Sequence, residues 1–167
     1  MTPGTLAAEM KLKALDRRDQ AKWGAFVSGA TRLVTKKQWK RYRLLQRRFV
    51  RFVDRLLDKY GQAPRLLATR ADMMQRDSAK LPYLTRAYRG AVARHDKQEM
   101  VFSAHSIARI HITRGRADLA SPWVKRLRQN LAAHRDRLWA KDCADMERQL
   151  KQMRTRIPTV RRVESRP

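Results

Sequence analysis

From Lys36 to Tyr60 the chain reads KKQWKRYRLLQRRFVRFVDRLLDKY. At about 100° per residue, with Lys36 at zero, Trp39, Tyr42, Leu45, Phe49, Val53, Leu56, Leu57 and Tyr60 share an arc from about 180° to about 300°. Lys36, Lys37, Lys40, Arg41, Arg43, Arg47, Arg48, Arg51, Arg55 and Lys59 fall opposite, between about −20° and about 140°. Leu44 is the main exception, and Asp54 and Asp58 interrupt the basic arc near its end. The segment therefore predicts an amphipathic helix, apolar toward a core and cationic on a face roughly 35 Å long. Lys36/Lys40, Arg43/Arg47, Arg47/Arg51 and Arg51/Arg55 are like charges one turn apart, which repel where a solvated helix would place ion pairs.

Outward from this segment the chain keeps the helical pattern. A first helix is expected from about Thr5 to Leu33, with Gly24 and Gly29 as places to bend. Thr35 and Gln38 match a capping box at the start of the second helix, and Gly61 stands where a left-handed cap would close it. A third helix is expected from Arg65 to Arg76, and a fourth with Pro82 in its first turn. The fourth pauses near His95-Asp96 and stops at Gly115. A last helix starts at Ser121-Pro122 and runs to about Arg156, before Pro158. Strand signals are nearly absent. The expected fold is all-α, an up-and-down bundle or helical-hairpin array of about five to six helices. One helical domain would occupy 1–157 and a short basic tail 158–167.

Composition narrows the function. The 167 residues carry 40 Lys+Arg against 15 Asp+Glu, a formal net charge of +25. Apolar residues make up 43%, enough for a core and too many for a disordered basic tail. No apolar run approaches the ~20 residues of a membrane-spanning helix, so membrane insertion is not expected. The single cysteine, Cys143, leaves no internal disulfide framework and no Cys-based zinc site. The N-terminal stretch MTPGTLAAEMKLKALDRRDQ is amphipathic and basic, yet Glu9, Asp16 and Asp19 are unlike an acid-poor transit peptide. It has no secretory apolar core either.

A charge of +25 with so few acids points to a polyanionic partner. Arginines outnumber lysines 28 to 12, and arginine gives forked phosphate contacts and stacks on bases. The expected contacts on the second helix are Lys36, Lys37, Lys40, Arg43, Arg47, Arg48, Arg51 and Arg55. A second cluster joins Lys125, Arg126 and Arg128, beside Trp123, to Arg161 and Arg162 in the tail. In the last helix Val124, Leu127, Leu131, Leu138, Met146, Leu150 and Met153 form an apolar stripe that Arg128 and Arg135 invade. Either the helix breaks near His134 or those arginines snorkel. Trp23, Trp39, Trp123 and Trp139 are expected in the core, Trp39 most clearly, with Trp123 as the one candidate for base stacking.

No enzyme is expected. His95, His105, His111 and His134 lack metal-ligand spacing, and His105 and His111 lie in an apolar stretch that reads as core or boundary. There is no glycine-rich phosphate loop, nucleophile elbow or carboxylate pair, hence no cofactor and no small-molecule substrate. The expected role is a non-catalytic RNA-binding component of a large ribonucleoprotein. The first candidate is an organellar, mitochondrial ribosome, where the protein would contact rRNA and neighbouring proteins. A DNA-compacting nucleoid protein and a helical adaptor are the alternatives.

The run Tyr42-Arg43-Leu44-Leu45-Gln46-Arg47, with Phe52 ten residues after the tyrosine, resembles part of the LYR motif of small mitochondrial helical accessory proteins. Arg41 stands where that motif has its leading leucine. The resemblance implies an acyl carrier protein as partner, whose acidic surface would suit these arginines.

Overall fold

The computed structural model describes residues 15–132 and 137–155. Seven helices occur among them and no strand: α1 (Arg17–Thr35), α2 (Trp39–Tyr60), α3 (Pro64–Asp72), α4 (Asp77–Ala93), α5 (Lys97–Thr113), α6 (Ala117–Leu131) and α7 (Arg137–Thr155). The fold is all-α and compatible with a helical bundle, with slightly more helices than the five to six expected. Among the described residues no helix is long and apolar enough to cross a membrane. The tail at 158–167 and the expected helical stretch before residue 15 lie outside the described residues.

The chain divides into two compact units, residues 1–90 and 91–167. In the first, α2 packs against both α1 and α3. The core joins Leu15 and Trp23 to Phe49, Phe52, Val53, Leu56, Ala63 and Leu66. Trp23 meets Phe49 edge-on at 5.0 Å, and Phe26 stacks on Phe49 and Phe52 at 5.0 and 5.4 Å. Such aromatic pairs add to the area they bury. The α1–α2 approach is tight at Gly29, where a Cβ would stand 3.3 Å from Leu45 Cδ2. A glycine at this position lets the two helices close together, and α1 runs through both Gly24 and Gly29 without a break.

In the second unit α5 packs against α6 and α7, which also pack on each other. Ser103, Ala104, Ile107 and Ala108 of α5 are buried, together with Val124 and Leu127 of α6 and Met146 and Leu150 of α7. The expected single last helix is two. α6 ends at Leu131 and α7 occupies Arg137–Thr155, and Arg128 is exposed at the edge of the α6 stripe, where it reaches Glu147 of α7.

Three connections share one design. After α1, the Lys37 N–H donates to Val34 O at 2.9 Å and the Gln38 N–H to Leu33 O at 2.9 Å. After α4, His95 donates to Val92 and Asp96 to Ala91; after α5, Gly115 donates to Ile112 and Arg116 to His111. These are Schellman closures, which satisfy the last carbonyls and need a left-handed central residue. Gly115 supplies it naturally at φ 69°, but Lys37 and His95 adopt φ 54° and 53° despite their side chains.

Several helix ends differ from expectation. The capping box does not form: Thr35 ends α1, its hydroxyl donating to Thr31 O, and Gln38 caps α2 without a side-chain bond. The Schellman closure has taken those residues. Gly61 has positive φ, 71°, but its ψ of −167° is extended, so it turns the chain without a left-handed cap. Pro82 and Pro122 lie inside α4 and α6, which begin five residues earlier at Asp77 and Ala117. Asp77 and Asp118 stand in those first turns, where negative charge favours the helix dipole. Proline removes a single hydrogen bond one turn in, and the helix extends backward past it.

Candidate nucleic-acid interface

The apolar side of α2 holds Phe49, Phe52, Val53 and Leu56 in the core, which turns the opposite side outward. Lys36, Lys37, Lys40, Arg43, Arg47, Arg48, Arg51 and Arg55 are all exposed. Their order along the helix and its preceding turn is continuous, and Leu44, 46% exposed, lies among them. Among the described residues, Lys40, Arg43, Arg47, Arg48, Arg51 and Arg55 have no ion pair or side-chain hydrogen bond within the chain.

The cations and acids at the edges of this face behave differently. Arg41 reaches the Gln38 carboxamide oxygen at 3.3 Å. Lys59 leaves the face for α1, lying 2.6 Å from Asp16 and 2.9 Å from Asp19. The Tyr60 hydroxyl donates to Asp19 at 2.9 Å and accepts from the Asp16 N–H at 3.1 Å. The Lys59 ammonium, aided by the Asp19 N–H, holds the Asp16 carboxyl down at about 2. Lys59 also lowers Asp19, and the two carboxylates raise Lys59. Asp54, the acid that interrupts the basic arc, accepts from Arg70 of α3 at 2.6 Å. The acid nearest the centre of the helix is thus engaged with a neighbour, and the central cations are not neutralised by it.

The second expected cluster belongs to the other unit. Lys125, Arg126 and Arg128 are exposed on α6. Arg126 lies 4.6 Å over the Trp123 ring, a cation–π contact, and Arg128 pairs with Glu147 of α7 at 3.5 Å. Trp123 is half-buried. Arg161 and Arg162 lie outside the described residues, as do His134, Arg135 and the side chain of Leu138.

His105 and His111 are buried on α5. His105 Nε2 is 3.4 Å from Asp142, and its ring meets Trp139 edge-on at 4.7 Å. Burial lowers the pKa of both histidines; for His111, Arg116 and Arg114 add to the effect. Cys143 is buried, which raises its thiol pKa. Among the described residues no group of three His, Cys, Asp or Glu side chains is placed to hold a metal ion.

Trp39 departs most from expectation. It is 53% exposed rather than core. As the first residue of α2 it comes directly after the left-handed turn at Lys37, beyond the reach of the aromatic core. It meets Tyr42 edge-on at 6.3 Å, and with Tyr42, Arg43, Gln46 and Gln75 it lines an open cleft of about 470 Å³. The helical wheel could have flagged this flank, since Trp39 and Gln46 lie at about 300° and 280°, next to Arg43 at about 340°. Gln75 comes from the α3–α4 connection, and no periodicity could have supplied it. Of the residues that resemble the LYR motif, Phe52 is 3% exposed within the chain's own core, while Arg43 and Arg47 face outward.

No family model matches this chain, and no curated protein or solved structure is detectably similar to it.

Proposed function

We propose that this protein binds the sugar-phosphate backbone of structured RNA as a non-catalytic component of a large ribonucleoprotein, with an organellar ribosome as the first candidate. The observation that carries the reading is the run Lys40, Arg43, Arg47, Arg48, Arg51 and Arg55, exposed and without partners among the described residues. A phosphate chain answers all of these charges at once and releases its counterions, which makes binding favourable and salt-sensitive. Arg126 and Lys125 on α6 provide a smaller second contact. Short Schellman turns close three of the helix connections and hold the helices that carry these faces.

The test compares a structured RNA with duplex DNA of equal length at matched salt. Preference for the RNA, with affinity falling steeply as salt rises, is the expected result. Equal affinity favours nucleic-acid packaging of the DNA-compacting kind. No binding to either removes the proposal. Loss of the native complex after RNase treatment separates an RNA-held component from a protein-held adaptor, which would stay.

A further inference from the structure

The α2 face accounts for binding to phosphates, but it leaves the cleft at its N-terminal end unexplained. A tryptophan that is 53% exposed forgoes much of the burial that makes this side chain useful in a fold. Its ring is set edge-on to Tyr42, on the next turn of the same helix. Arg43 sits one turn from Trp39, on the border between the cleft and the cation row, and has no ion pair among the described residues. Gln46 and Gln75 add two carboxamides, each with an acceptor oxygen and an NH2 donor. The volume, about 470 Å³, lies in the range of clefts that take small organic groups.

We propose that this cleft receives one unpaired nucleobase of the bound RNA, stacked on Trp39, with its edge toward Gln46 and Gln75 and its phosphate on Arg43. The inference rests on the backbone reading and extends it. Aromatic side chains stack on bases of any sequence because every base has a π-face. Carboxamides can meet both donors and acceptors on a base edge, and a forked guanidinium suits the attached phosphate. Lys40 and Arg47 continue the phosphate track from the same point. A paired base inside a duplex cannot enter, so the cleft selects a loop, bulge or single-stranded end. The protein would thus tell an open RNA element from a plain helix, which a row of cations alone does not do.

The experiment titrates the full chain with two RNAs at one salt concentration: a hairpin with an open loop, and a blunt duplex carrying the same stem. The variants are Trp39→Ala, Trp39→Phe and Gln75→Ala, with the double variant Arg47→Gln/Arg51→Gln as the backbone control. Trp39→Ala should weaken hairpin binding by about tenfold or more, the scale of one lost base stack, and leave the duplex affinity and salt slope unchanged. Trp39→Phe keeps a ring and should retain most of the affinity, while removing the part of the fluorescence quenching that comes from Trp39. Gln75→Ala should give a smaller loss, again confined to the hairpin. The double arginine variant should weaken both RNAs. If Trp39→Ala binds both RNAs as the parent does while the arginine variant loses both, the cleft proposal falls and the backbone reading stands. Equal weakening of both RNAs by Trp39→Ala also overturns it, since the ring would then only position α2. If the parent protein binds neither RNA, both readings fall together.

Discussion

The Lys59 ammonium lies 2.6 Å from the Asp16 carboxylate, the same group that caps the first turn of α1. One acid therefore closes a helix and ties it to the far end of α2. Because folding lowers the Asp16 pKa to about 2 from its ordinary 3.8, the stabilisation is complete above 3.8 and drains away as pH falls from there toward 2. Thermal melting from pH 6 to pH 2 should show this loss. Asp16→Asn keeps the cap but cannot titrate, so it should start lower and flatten the acid limb.

Leu56 is 2% exposed in the core of the first unit. Leu56→Ala should cost about 2–5 kcal/mol in urea unfolding, from lost transfer energy and the cavity left behind. A loss well under that range would mean that α2 does not rest on its apolar side, and the exposure of the basic row would need another explanation.

Replacing Arg43, Arg47 and Arg51 together by glutamine should move two properties in opposite directions. RNA affinity should drop and its salt dependence flatten, because fewer counterions are released. Stability should stay level or rise by a few tenths of a kcal/mol per relieved pair, since these arginines repel one another along the helix. Circular dichroism and a salt series read both. Unchanged affinity would reduce the face to a solvated surface.

His95 holds the left-handed position of its turn at φ 53°. A left-handed residue other than glycine carries a steric cost of roughly 1–2 kcal/mol. His95→Gly should therefore stabilise the protein by a part of that amount, the rest being offset by glycine's greater unfolded entropy. Gly115→Ala, at φ 69° and with open space around its Cβ position, should destabilise it for the mirror-image reason. Chemical denaturation of the two variants checks the opposite signs.

Burial keeps His105 and His111 neutral in the folded state, with pKa values below the ordinary 6.5. On acidification the unfolded chain takes up these protons first, so stability is intact above about 6.5 and declines below it. The groups facing His105 are Asp142, which opposes the shift, and Arg109, which reinforces it; Arg116 and Arg114 face His111. His111→Gln should flatten the melting-temperature profile between pH 7 and pH 5.5 relative to the parent, in which Asp72, its carboxyl raised by burial to about 6, titrates alike.

How much of the structure is visible in the chain depends on the distance over which each cause acts. The α2 wheel separates cations from core because both are consequences of one helical period. Gly115 and the pause at His95-Asp96 are legible as local chain closures. Trp39 misleads because periodicity assigns a direction and not a neighbour. Its arc faces inward, but the first turn of α2 extends past the rings that would cover it. Thr35 and Gln38 carry a valid capping signature that a competing closure at Lys37 displaces. Pro82 and Pro122 suggest helix starts, yet a proline one turn in gives up one hydrogen bond and crowds one carbonyl, a local cost that leaves the true start free to lie upstream of it. Gln75 joins the cleft through tertiary folding alone.

The unpaired cations of α2 give dissolved salt two contrary effects. Mobile anions gather around the row and damp its mutual repulsion within a Debye length of about 8–10 Å, so the solitary protein should grow sturdier as ionic strength rises. The same anions compete for the sites a phosphate chain would occupy, so its hold on a polynucleotide should slacken over the same range. A buffer chosen to keep the purified protein in good condition is therefore the one in which its partner most readily escapes.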